Sequence, residues 1–195
     1  MAKKEKKANF KFYESSIVSK FTIEEANKEY VKKESAKLKK LQKMKLDLKL
    51  IKIKLPMNVK TIEKQLKVVK GMSGVYLICL SDERDKDTIK DAVKDYRKKK
   101  KTDRVPPVNK ESVEDWVIYI GKVESKGKDL KARLLEHIDR TSEGTFALKM
   151  SKWLPKKLKS KNMYVYYIDM SENKNMIRTV EKALWEHVGP MVGKK

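Results

Sequence analysis

The amino-acid sequence predicts an α+β fold in which three short strands alternate with helices behind a basic helical N-terminal region. Three observations lead there. The apolar runs at 75–80, 116–120 and 163–168 are rich in β-branched and aromatic residues, as buried strands are. The stretches 130–138 and 175–188 instead repeat apolar residues at helical spacing. The chain before Gly71 is dominated by lysine, and the character changes at Gly74. A chain of 195 residues has room for one domain with an appendage, so a basic arm and helical region is expected over 1–70 and the strand-containing domain over 71–195.

Taken in order, residues 1–20 read as a basic arm containing Phe10, Phe12 and Tyr13. Thr22 with Glu25 forms a capping box that opens a helix running to about Lys45. Leu41, Met44, Leu48, Ile51 and Leu55 continue a helical spacing, yet Ile51, Ile53 and Leu55 also alternate with lysines as in a strand; spacing leaves both open. Pro56 closes that segment, and 61–70 reads as a short helix ended by Gly71. After the first strand, residues 82–115 form a charged insertion with a helix near 88–98, the basic run Arg97, Lys98, Lys99, Lys100 and Lys101, and then Pro106 and Pro107. The second strand, 116–120, is expected to stop at Gly121. Alternation places Val117 and Tyr119 on one face and Trp116, Ile118 and Ile120 on the other. Asp129 can cap a helix over 130–138 whose apolar face holds Leu130, Leu134 and Ile138. Residues 146–154 read as another helix broken at Pro155, and a last helix over 175–188 turns Ile177, Val180, Leu184 and Val188 inward.

Charge narrows the function. Lys and Arg number 49 against 27 Asp and Glu, a formal net charge of +22, and the surplus is not confined to one tail. Such a chain attracts polyanions, which makes a nucleic acid or an anionic membrane surface the expected partner. The longest stretch without a charged side chain, 71–81, is too short to cross a bilayer, so no membrane span is expected. The basic start is followed by no apolar core and does not read as a secretory signal. Cys79 is the single cysteine, which excludes a disulfide framework and points to a cytoplasmic setting. His137 and His187 cannot make a three-histidine metal site by themselves.

The residues that carry chemistry lie beyond Gly71. Gly74, Val75 and Tyr76 open the first strand; Tyr119, Ile120 and Gly121 close the second, with Lys122 directly after. Arg133 and His137 are one helical turn apart and so share a helix face. Glu181 lies at the edge of the last helix's apolar stripe, with Pro190 beyond it. Tyrosine, with an ordinary pKa of roughly 10, serves as a base only where cations favour its phenolate. Arginine braces phosphate oxygens in pairs, histidine donates or relays a proton, and a half-buried glutamate suits a hard cation that keeps several waters.

This ordered set resembles the GIY-YIG nuclease family, and the resemblance covers about 71–195. It implies a small three-stranded antiparallel sheet flanked by helices and metal-dependent hydrolysis of DNA phosphodiesters. Tyr76 or Tyr119 would then serve as base, Lys122 and Arg133 as phosphate braces, His137 as an assisting group, and Glu181 as the ligand of Mg²⁺ or Mn²⁺. The order Tyr76, Tyr119, Arg133, His137, Glu181 is most similar to the type II restriction branch, which implies a homodimer on symmetric double-stranded DNA. Arg97, Lys98, Lys99, Lys100 and Lys101 are then the expected backbone contacts. Two other readings use the same residues: a repair or recombination nuclease that recognises DNA shape, and a nucleic-acid-binding module without activity. The chain departs from the family in three places: Val75 at the centre of the first tripeptide, the long insertion between the two tyrosines, and Gly193 where an asparagine is common.

Overall fold

The structure, a computed structural model, describes residues 46–54, 59–80, 85–112, 116–124, 127–138, 146–155, 158 and 162–193. The expected N-terminal arm, the capping box at Thr22 and its helix to Lys45, Leu55 and Pro56 lie outside the described residues. The elements in chain order are β1 (Leu48–Lys54), α1 (Val59–Gln65) continued by a 3-10 turn (Leu66–Val69), β2 (Gly74–Leu80), α2 (Lys86–Lys99) and β3 (Val117–Val123). There follow α3 (Leu130–Ile138), α4 (Met150–Trp153), β4 (Asn162–Asp169), a 3-10 turn (Lys174–Met176) and α5 (Ile177–Val188).

The fold is α+β, but the antiparallel sheet has four strands in the order β1-β4-β2-β3 rather than three. The added strand is the segment whose spacing fits both helix and strand. Pairing along β4, from Leu48 opposite Ile168 to Lys54 opposite Asn162, decides it. Leu48 and Leu50 pack on one face of the sheet, Ile51 is buried on the other, and Lys49 and Lys52 stay in solvent. Among the described residues β1 is an outer strand, and lysines on such a strand disfavour pairing with other chains.

The sheet separates two cores. On one face Tyr76, Ile78, Ile118 and Val165 meet α1, α2 and α3 through Ile62, Ile89, Leu130 and Leu134. On the other, Val75, Leu77, Ile120 and Ile168 meet α5 through Ile177, Val180 and Leu184. Cys79 is fully buried in this second core and its thiol pKa is pushed up by burial, so it is a small core side chain.

Three local expectations are corrected. β3 does not stop at Gly121 but runs to Val123. Nor do its faces alternate as drawn: Ile78 pairs with Tyr119 and Cys79 with Val117, so Ile118 is the extra residue of a bulge. Ile118 and Tyr119 therefore both turn toward α3, while Val117 goes to the α5 side with Ile120. The helix expected over 146–154 is only Met150–Trp153. The preceding Lys149 is left-handed at φ 53°, and the Leu148 N–H is donated to a histidine ring instead of a helical carbonyl.

Other expectations match the structure. Asp129 caps α3, taking the Ala132 N–H on Oδ1 at 2.7 Å, and its Oδ2 takes the Gly71 N–H at 2.8 Å, tying the α1 end to the α3 start. The long insertion leaves the sheet through α2 and returns to it. Met191 and Val192 donate to the Val117 and Ile118 carbonyls at 2.9 Å, which covers the outer edge of β3. Val108 then pairs antiparallel with Val192, and the Asn109 side chain donates to the Pro190 carbonyl at 2.6 Å. No helix among the described residues is long and apolar enough to cross a membrane.

Candidate active site

The two phenols come together because antiparallel pairing sets Tyr76 opposite Gly121 and the bulge holds Tyr119 on the same face. Their ring centroids are 6.3 Å apart. Tyr76 is wholly buried, whereas Tyr119 keeps partial exposure. Gly121 makes room for both: a Cβ there would stand 2.6 Å from Tyr76 Cζ and 2.8 Å from Tyr119 Cε1. Gly74 answers to another close approach, since a Cβ there would strike the Ile168 carbonyl. The glycines of both tripeptides are thus spatial requirements.

Helix α3 supplies the next two groups from above this face. His137 Nε2 lies 2.7 Å from Tyr76 Oη, and the His137 ring is 4.7 Å from that of Tyr119, centroid to centroid. The Leu148 backbone N–H donates to Nδ1 at 3.0 Å. A nitrogen that accepts this bond carries no proton, so the neutral ring holds its hydrogen on Nε2 and donates it to Tyr76. Burial, followed by the nearby Arg133 charge, pushes the His137 pKa well below the ordinary value. Arg133 donates through Nη1 to Glu136 Oε2 at 2.8 Å and through Nη2 to the Phe146 carbonyl at 2.7 Å. Burial works against its charge, but the Tyr76, Glu136 and Tyr119 oxygens outweigh that and raise its pKa further. Burial raises the pKa of both phenols, Tyr76 well above the usual value, and the Arg133 guanidinium opposes the rise at each.

The buried neutral His137 links stability to pH. Its folded pKa lies below that of the unfolded chain, so its contribution is complete above about 6.5 and is lost as pH falls through the folded value. Unfolding free energy should drop by up to about 1.4 kcal/mol for each pH unit below about 6. Urea titrations from pH 7 to 5 should show this slope in the wild type and lose it in His137→Gln.

Lys122 and Glu181 approach from the opposite side of the sheet. Lys122 pairs in register with Val75, on the face that α5 covers, and Glu181 projects from α5. Their charged groups meet at 2.7 Å, Lys122 Nζ on Glu181 Oε2, with the Glu181 side chain 24% exposed. Lys122 also lies 3.4 Å from Glu124, which Arg178 grips through two nitrogens at 2.6 and 3.0 Å. The Glu181 charge still acts on both phenols, raising their pKa values.

Among the described residues no three or more His, Cys, Asp or Glu side chains gather into a ready-made metal cage. A single, mostly buried carboxylate with Oε2 on Lys122 would offer one protein oxygen to a Mg²⁺-like ion, which holds several waters and takes only one or two protein oxygens beside substrate phosphate. Glu181 is the residue that would hold it.

Arg97, Lys98, Lys99, Lys100 and Lys101 are all exposed at the C-terminal end of α2. They lead into Asp103 and into Arg104, whose guanidinium lies 5.6 Å from the centre of the exposed Phe146 ring. Gly193 backs the site: a Cβ there would be 3.8 Å from the Tyr119 ring and 3.5 Å from Trp185 Nε1. Glycine thus presents backbone to Tyr119 where the resemblance expects an amide side chain.

Sequence reasoning missed Glu136, Phe146 and Leu148 as neighbours of the site. Glu136 is visible at helical spacing after Arg133, a pattern that signals an ion pair. The other two act through backbone atoms, which no side-chain motif reveals. Neither known protein families, nor curated proteins, nor solved structures give a match to this chain.

Proposed function

We propose that the protein is a metal-dependent DNA endonuclease that hydrolyses phosphodiester bonds, and more specifically a type II restriction enzyme acting as a homodimer on double-stranded DNA. The reading is supported by one observation: two phenols, a buried neutral histidine and a guanidinium are packed together, and the Glu181 carboxylate raises the pKa of both phenols. The net charge of +22 and the exposed run from Arg97 to Lys101 suit a polyanionic substrate.

Of the two phenols, Tyr119 is the better base because it alone keeps contact with solvent. In this mechanism its phenolate, a minority form because burial raises the Tyr119 pKa while Arg133 opposes that rise, takes the proton of the attacking water as the new P–O bond forms. The opposite P–O bond breaks with its electron pair on the departing oxygen, which takes a proton from solvent water, and the proton on Tyr119 returns to solvent. Arg133 spreads positive charge over the phenols and the phosphate, and Lys122 adds an ammonium beside the Glu181 carboxylate. Tyr76 is a buried relay, held by His137 Nε2–H, that orients Tyr119 and Arg133 around the scissile group. A divalent ion on Glu181 would supply further positive charge against the phosphate.

Incubating the purified protein with supercoiled and linear plasmid in Mg²⁺ or Mn²⁺ tests the proposal. Cleavage by the wild type is expected, with a loss of about 10³-fold or more in Glu181→Ala. Discrete fragments from linear DNA support restriction. Cuts confined to branched DNA would move the protein to repair or recombination. Salt-sensitive binding with no cleavage under any divalent ion would leave a binding module and end the enzymatic reading.

A further inference from the structure

The orientation of His137 depends on a peptide group, and that peptide is held by residues from outside the tyrosine, arginine, histidine and glutamate set. We propose that Asp103 and Lys149 are positioning residues of this site, which fix the His137 ring through the backbone of Leu148. The inference rests on the nuclease reading above for its catalytic consequence but not for its structural one.

Lys149 is the one non-glycine residue with positive φ among the described residues, at 53°. A lysine has no intrinsic preference for that conformation, so the surroundings must impose it. They do so through a buried ion pair. Lys149 Nζ meets Asp103 Oδ1 at 2.7 Å, with the lysine side chain 0% and the aspartate 7% exposed. The other carboxylate oxygen takes Lys152 Nζ at 3.2 Å and the Tyr96 hydroxyl. Lys149, then Tyr96 and Lys152, hold the Asp103 carboxyl well below the usual carboxylate range, so it stays charged.

The consequence appears one residue earlier. With Lys149 left-handed, the chain turns before α4, and the Leu148 N–H is free of the helix and donates to His137 Nδ1. The Leu148 carbonyl is held on its other side by Trp153 Nε1. Next to it, the Phe146 carbonyl accepts from Arg133. One short segment, 146–149, therefore sets the tautomer of the histidine and braces the arginine. Asp103, two residues after the basic run of the insertion, is what pins it. The insertion between the two tyrosine strands is in this view part of the catalytic support and more than a DNA-contacting appendage.

The test uses the full-length protein labelled with ¹⁵N in histidine, with His187→Gln to assign the two rings. In the wild type, His137 should show a single neutral tautomer with its proton on Nε2. Asp103→Asn and Lys149→Met should each introduce the Nδ1–H tautomer or broaden the ring signals. Their kcat for plasmid cleavage should fall by about 10- to 100-fold with KM little changed. Lys149→Arg, which keeps the charge, should restore the wild-type spectrum. A wild-type proton on Nδ1 would overturn the proposal, as would folded Asp103→Asn and Lys149→Met proteins that retain the pure Nε2–H form. Where those variants fail to fold, Tyr96→Phe removes one bond from Asp103 and no charge. In uniformly ¹⁵N-labelled protein, faster exchange of the Leu148 amide in that variant supports the anchor, and unchanged exchange refutes it. These spectra need no DNA, so they decide the question even if the protein cuts nothing.

Discussion

Tyr119→Phe is expected to lower the rate of DNA cleavage by about 10³-fold while leaving DNA affinity and melting temperature close to wild type. The Tyr119 ring is partly exposed and packs beside Tyr76 and His137, so removing its hydroxyl takes away the proton acceptor and little packing. Tyr76→Phe should behave differently. Its hydroxyl accepts from His137 inside a fully buried site, so its loss leaves the imidazole N–H without that partner and costs about 1–3 kcal/mol of stability beside the loss of rate. The contrast between the two phenylalanine variants separates the base from the relay. Burial raises the Tyr119 pKa above the usual value for a phenol, so the wild-type rate should climb as pH rises through neutrality. In Tyr119→Phe that climb should be absent. A Tyr119→Phe enzyme with more than about a tenth of wild-type activity would remove this residue from the chemistry.

The sequence made the central parts legible wherever function and packing ask for the same residues. Tyr76, Tyr119, Arg133 and His137 lie on elements with clear periods, and the structure brings them to one face. Lys122 and Glu181, read as neighbours of that set, are instead on the other side of the sheet and touch each other first. Alternation contains that information, because Lys122 follows Gly121 and must point away from it. The bulge at Ile118 was not legible, since an extra residue leaves no compositional trace and shifts every face assignment before it. β1 was undecidable for a related reason: lysine interleaved with leucine and isoleucine satisfies both periods, and only a partner strand selects one. The short α4 was overcalled because the apolar spacing of 146–154 is helical, while a buried ion pair drawn from Asp103, far away in sequence, overrides it at Lys149. Local pattern fails where a long-range polar contact outweighs propensity.

The same reasoning makes Gly121→Ala the most damaging small substitution in the sheet. Glycine in a strand is ordinarily a weakness, and alanine there usually stabilises by restricting the unfolded chain. Gly121 carries no positive φ, so no backbone strain argues against alanine. Space does. The new methyl would stand 2.6 Å from Tyr76 Cζ and 2.8 Å from Tyr119 Cε1, far inside contact distance for carbon. Neither ring can step aside easily. Tyr76 is fully buried and bonded to His137, and Tyr119 is hemmed by the His137 ring and by Gly193. Gly121→Ala should therefore destabilise the fold by about 3 kcal/mol and lower Tm by roughly 6–12 °C, with cleavage lost along with the Tyr76–His137 bond. The Tyr76 hydroxyl is the atom nearest the incoming methyl, so a double variant, Tyr76→Phe with Gly121→Ala, should cost less stability than the two single changes added together. Additive losses in that cycle, or a Gly121→Ala protein that melts with the wild type, would mean the two rings are not wedged against the strand as their contacts imply.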